Sequence, residues 1–138
     1  MAMALPPGYR PTEKESFMNP LQQEYFRRKL LTWRQELIDE SNQTLQNLQE
    51  DSLAQPDLAD RATAESDRAL ELRTRDRFRK LISKIDAALR SIDDGSYGFC
   101  EETGEPISLK RLEARPIATL SIEAQERHER RERVYRDE

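Results

Sequence analysis

The 138-residue sequence predicts a mainly α fold: a long antiparallel α-helical coiled-coil hairpin on a small globular base, with a C-terminal helix after it. Three observations point there. Hydrophobic and charged residues each make up 36% of the chain, which leaves too little apolar material for a large core but suits long helices with one buried seam. Four glycines and an aromatic share of 7% fall short of the turns and large strand residues that an all-β fold needs. Finally, an acidic turn at residues 56–62 separates two stretches whose apolar residues recur at helical spacing.

Residues 1–18 contain three prolines and a glycine among polar groups, a composition that resists helix and predicts a flexible or loosely packed arm. Asn19 and Pro20 then supply an N-cap and a first helical position. The first helix carries Leu21, Tyr25, Phe26, Leu30, Trp33, Leu37, Leu45 and Leu48, and within it Phe26, Leu30, Trp33 and Leu37 keep the four-three-four spacing of a seam. Ser41 and Thr44 continue the stripe, so packing is expected to loosen toward the turn. Beyond the turn, Ala62, Ala69 and Leu72 lead into Phe78, Ile82, Ile85, Leu89 and Ile92, which define the second helix. It is expected to end before Gly95, a residue that can close a helix in the left-handed conformation. The hairpin thus spans residues 19–94, and arms of roughly 30 residues would each extend on the order of 45 Å at 1.5 Å per residue.

Residues 97–108 predict a short hairpin turning at Thr103 and Gly104, and Ser108 caps a brief helix through Ala114 that Pro116 stops. The last helix, residues 121–138, alternates acids and bases and has no apolar residue between Ala124 and Val134, so it is expected to be mostly solvated.

The net charge of −4 and pI near 5.2 oppose general attraction to a phosphate backbone and favour a protein partner over naked DNA. Cys100 is the sole cysteine, which excludes an internal disulfide and any all-cysteine zinc site. No basic start followed by an apolar run opens the chain, and no apolar stretch is long enough to span a bilayer; a cytoplasmic location fits. The sequence carries no Ser-His-Asp order, phosphate-binding glycine loop or paired metal motif, so a binding protein is expected rather than an enzyme.

The residues 25–30 with Trp33, the turn from Pro56 to Ala62, residues 70–77, residues 97–100 and the run from Arg111 to Pro116 together resemble the DksA family of bacterial transcription factors. These segments are collinear over about residues 18–127. The resemblance implies a coiled coil that enters the secondary channel of RNA polymerase and carries its acidic tip toward the active site. There it would alter promoter-complex stability together with ppGpp in the stringent response, lowering ribosomal-RNA and raising amino-acid-biosynthesis transcription. Carried over by residue, the tip positions are Asp57, Asp60 and Ala62, and Thr74 and Arg77 lie at the channel rim. Leu81, Lys84 and Arg115 fall at a ppGpp site shared with polymerase, where Lys and Arg suit phosphate. Gln125 stands where a basic residue is expected, which would weaken nucleotide affinity.

From spacing alone the tip has two readings. Asp57 and Asp60 can contact a partner, or Asp60 can cap the second helix while Asp57 solvates the turn. The basic run along the second helix is likewise a binding face or a solvated one.

The resemblance also implies that residues 95–120 form a degenerate zinc-finger-like base. Where the family holds four cysteines this chain has Cys100, Thr103, Ser121 and Ala124, and one thiolate cannot make a structural zinc site. The sequence therefore predicts no bound zinc, with His128 a solvated helix residue and Cys100 a small packing residue beside Phe99. Burial of Phe99, Ile107, Leu109, Leu112, Ile117, Leu120 and Ile122 must then hold the base, at ~1.5 to 3 kcal/mol for each fully buried side chain before entropy.

Two other functions compete: a Gre-like transcript-cleavage cofactor whose tip carboxylates lend a magnesium ligand, and a structural coiled-coil adaptor or homodimer. A hairpin that uses both seams internally favours a monomer, without a membrane partner or sequence-specific DNA binding.

Overall fold

The structure, a computed structural model, describes residues 4–53 and 61–137. It holds four α-helices among those residues: α1 (Pro20–Leu53), α2 (Arg61–Asp94), α3 (Leu109–Ala114) and α4 (Ile122–Asp137). No strand forms among the described residues; the turn region of the base has one antiparallel bridge, Phe99 to Pro106. Nor is any described helix long and apolar enough to cross a membrane. The chain divides into two compact units, Leu31–Asp86 and a second made of Met1–Leu30 with Ala87–Glu138.

The Leu31–Asp86 unit is the helical hairpin. Leu37 and Leu45 on α1 and Phe78 and Ile85 on α2 are buried, at three- and four-residue multiples that put each pair on one helical face. Trp33, Ser41 and Thr44 are half-buried. Arg34 donates to Asp86 at 2.7 Å and ties one helix to the other at the surface. Leu72, assigned to the seam by its spacing, is 60% exposed. It lies more than 100° around α2 from Phe78 and Ile85 at about 100° per residue, so it cannot share their face.

The other unit is built around Phe26, Leu30, Ile92, Tyr97, Ile107, Leu112 and Ala124, all buried. Helix α1 opens on a cap: Asn19 Oδ1 accepts the Gln22 N–H at 2.9 Å, and Gln22 Oε1 accepts the Met18 N–H at 2.8 Å. Helix α2 closes on Gly95 (φ 84°), with Ser96 N–H to Ser91 O at 3.0 Å and Gly95 N–H to Ile92 O at 3.3 Å. Those paired bonds satisfy the last carbonyls of the helix. Ser108 caps α3 by accepting the Arg111 N–H.

Two sequence expectations need correction. The arm expected to be loose is tied down from Tyr9 onward. Gln22, fully buried, donates to Thr12 O at 3.3 Å and Glu15 at 3.0 Å, Tyr9 donates to Glu15 at 2.8 Å, Phe17 stands edge-on to Phe99, and Met18 is buried. Composition missed this because the polar partners lie up to ten residues apart and the Phe17 ring meets Phe99 far along the chain. The expected base core is also only partly right. Ile107 and Leu112 are fully buried, yet Phe99 is 37% and Ile122 49% exposed, and Tyr97, Ala118 and Ala124 are buried instead.

Candidate functional site

Helix α2 presents Thr74, Arg77, Leu81 and Lys84 at spacings of three, four and three, which places all four along one face beside the buried Phe78–Ile85 stripe. Thr74 and Leu81 are half-buried, whereas Arg77 and Lys84 are exposed. The ion pairs of α2 divide its cations into two sets. Arg75 pairs with Glu71 at 2.9 Å, and Arg79 and Lys80 both pair with Asp76, at 2.6 and 2.9 Å. The bonds from Lys80 and Arg79 hold the Asp76 carboxyl below its usual range, and those from Arg75 do the same for Glu71. Arg73, Arg77 and Lys84 form no ion pair among the described residues, and they share one side of the helix. Arg77 lies 5.2 Å from the Phe78 ring, a contact that steadies the guanidinium without neutralising it. The sequence places Arg73 in the basic run of this helix, but contact roles were expected only of Arg77 and Lys84; the four-residue spacing of Arg73 from Arg77 sets it on the same side.

Arg115 belongs to the other unit, at the end of α3. Its backbone N–H bonds Arg111 O at 2.7 Å, and the extended conformation required before Pro116 ends the helix there. The buried Tyr97 hydroxyl donates to Pro116 O at 2.8 Å, which fixes the chain beside Arg115 while its side chain stays exposed. Leu81 and Lys84 therefore share one helical face, and Arg115 belongs to the other unit. Ala62 is the second residue of α2; Asp57 and Asp60 lie outside the described residues.

The base contains a third feature. Cys100, 2% exposed, follows Phe99 in a turn closed by Gly104 N–H to Cys100 O at 2.8 Å. Burial pushes the thiol up, but hydrogen bonds to its sulfur from the Thr103 hydroxyl and from the N–H groups of Ser121, Thr103 and Glu102 outweigh it and bring it down to about 6. Ser121 Oγ accepts the Ala124 N–H at 3.2 Å and starts α4, and Ala124 is fully buried. Close by, Glu113 accepts from the Tyr25 hydroxyl and from Lys29 Nζ at 3.0 Å, which joins α3 to the first turns of α1.

Comparison with known proteins decides the family. Residues 22–92 match the DnaK suppressor protein DksA N-terminal domain, and residues 95–130 match the prokaryotic dksA/traR C4-type zinc finger. The chain belongs to the DksA family. It is 68% identical over 130 residues to the RNA polymerase-binding transcription factor DksA of Caulobacter vibrioides, covering 94% of this chain and 92% of that protein. With the protein of that name from Escherichia coli K12 it shares 42% identity over 133 residues, 96% of this chain and 88% of that one. Among solved structures, transcription factor DksA2 from Pseudomonas aeruginosa superimposes with a TM-score of 0.66 at 44% identity, covering 85% of this chain and 90% of that one.

A C4-type zinc finger needs four thiolates, and the residues of this DksA-family base do not fit one. The chain has a single cysteine, and among the described residues no three His, Cys, Asp or Glu side chains gather where they could hold a metal ion. Neither a serine that caps a helix nor a buried alanine is a zinc ligand.

Proposed function

We propose that this chain is a transcription factor that binds bacterial RNA polymerase directly and regulates initiation, acting as a binding protein and not as an enzyme. The observation that carries the reading is family membership along nearly the whole chain, with a 68% identical relative named RNA polymerase-binding transcription factor DksA. The hairpin enters the secondary channel and brings Asp57, Asp60 and Ala62 toward the active site. Thr74 and Arg77 meet the channel rim, and Leu81, Lys84 and Arg115 take ppGpp at the interface with polymerase. Arg77 and Lys84, exposed and without an ion pair among the described residues, set beside the half-buried Thr74 and Leu81, support this use of α2, because no carboxylate among those residues competes with a phosphate or a partner carboxylate for them. The factor works as a monomer in the cytoplasm, without sequence-specific DNA contacts, and its base holds no zinc.

The test is transcription by purified polymerase from a ribosomal-RNA promoter and an amino-acid-biosynthesis promoter, with and without ppGpp. Repression of the first and activation of the second, both enhanced by ppGpp, is the expected result. A stalled elongation complex incubated with the protein should keep its transcript intact; shortened RNA would instead support the Gre-like cleavage reading.

A further inference from the structure

We infer that Tyr97 is a positioning residue for Arg115: its buried hydroxyl, with Arg111 holding the far end of the same loop, fixes the corner from which the Arg115 guanidinium meets ppGpp. The role rests on the ppGpp reading above and deepens it by naming what keeps one of its contacts in place.

The need for such a residue starts in the sequence. Pro116 imposes an extended backbone on Arg115 (φ −142°, ψ 83°) and stops α3, and residues 115–121 then belong to no helix. A stretch without a helical or strand ladder leaves its carbonyls to be satisfied by donors from elsewhere. In this loop those donors are in place. Arg115 O accepts the Ala118 N–H at 3.0 Å, Thr119 O accepts the Glu101 N–H at 2.8 Å, and Leu120 O accepts from Arg111 Nε at 2.8 Å. Pro116 O, on the residue next to Arg115, accepts the Tyr97 hydroxyl at 2.8 Å, and both of these residues are buried. No other donor reaches that carbonyl among the described residues.

Tyr97 is the fixed partner of this bond and the loop is the one held. Its N–H bonds Ser91 O in the last turn of α2 at 3.1 Å, and its ring packs at 5.6 Å from that of the fully buried Phe26 on α1. Burial, with the charge of Glu113 adding to it, keeps the hydroxyl protonated well above its usual range, so it remains a donor. A buried carbonyl that loses its donor must shift toward water or a new partner, and the adjacent Arg115 shifts with it. The Arg115 side chain is exposed, and a guanidinium takes a phosphate through paired, directional bonds. A displacement of about 0.5 Å, or a freer backbone, is enough to weaken such a contact. Phenylalanine at position 97 would keep the ring and lose only the donor, which separates positioning from packing.

The experiment uses the full chain, purified bacterial RNA polymerase and ppGpp, at a temperature where each variant is folded by circular dichroism. For Tyr97→Phe, affinity for polymerase without ppGpp should match that of the parent. The ppGpp concentration giving half-maximal repression of a ribosomal-RNA promoter should rise roughly three- to tenfold. Arg115→Ala should raise it at least as far, and Tyr97→Phe added to Arg115→Ala should raise it no further, because the hydroxyl acts through that guanidinium. An unchanged ppGpp requirement in folded Tyr97→Phe, or the same rise again in the Arg115→Ala background, overturns the inference. Should Tyr97→Phe not fold, Arg111→Lys, which keeps the charge and loses the Nε donor to Leu120 O, is judged by the same two outcomes. An Arg115→Ala variant with an intact ppGpp response would instead refute the ppGpp reading itself, and the positioning role with it.

Discussion

Gly98 and Gly95 both sit in the left-handed region, at φ 89° and 84°, yet their surroundings differ. A Cβ on Gly98 would meet Phe17 at 3.1 Å and Met18 at 3.2 Å, whereas one on Gly95 meets nothing within 4 Å. Gly95→Ala should therefore cost only the backbone penalty of about 1 to 2 kcal/mol, and Gly98→Ala should cost more because the Phe17 and Met18 side chains must also give way. Denaturant unfolding of the two variants measures the difference; equal losses would mean that the arm does not press on Gly98. Titration adds a second residue-scale expectation. Burial pushes the Glu113 carboxyl up, but the Tyr25 hydroxyl and Lys29 outweigh it and hold it below its ordinary value of 4.5, and Gln22 and Tyr9 do the same for Glu15. Below that pH the unfolded chain binds more protons than the folded one. The stability from these carboxylates is then fully present above about pH 4.5 and lost as pH falls through the lower folded values. Tyr25 works in the opposite direction: raised from 10 to about 12 by burial and Glu113, it contributes stability that is complete below pH 10 and lost as pH rises toward 12. Thermal melts across pH should decline at both ends, and Glu113→Gln should flatten both limbs.

At the scale of elements, the caps and seams were legible because their signals are local. Asn19, Ser108 and Ser121 accept from N–H groups three residues on, and Gly95 closes α2, so a short window of sequence contains both partners of each bond. Leu72 shows where the periodic reading fails: with no buried residue beside it to set the register, its apolar character alone suggested a seam position that it does not occupy. The division of α2 cations into paired and unpaired sets leads to a functional expectation. Arg77→Ala should weaken binding to polymerase roughly tenfold, the scale of one charge-assisted hydrogen bond. Arg79→Ala, whose partner is Asp76 on the same helix, should change binding little, and neither should shift stability by more than about 1 kcal/mol. Competition binding with labelled protein measures both, and equal effects would argue against the Arg77 face as the contact.

For the whole molecule, function is proposed to depend on the tip positions Asp57, Asp60 and Ala62. Asp60→Asn separates contact from capping, since Asn caps a helix almost as well as Asp. Promoter regulation should be lost while the melting temperature holds; retained regulation would leave Asp60 with a capping role alone. Of the proposed sites, the sequence could mark the basic residues of α2, because they share a helix. It could not assign Cys100 its place, because the Ser121 N–H that reaches its sulfur lies 21 residues further along the chain.

By itself the sequence determined the helical hairpin, its caps and the loss of a four-thiolate site, all of which follow from periodicity, short-range hydrogen bonding and a single cysteine. Tertiary structure decided which residues of the base face inward. Tyr97 and Ala124 are buried while Phe99 and Ile122 are exposed, and the arm engages Gln22 and Gly98. The physical reason is that these segments have no repeating geometry. The direction of each side chain there is set by turns at Gly98 and Gly104 and by partners remote in sequence, so hydrophobicity at one position does not specify where that position points.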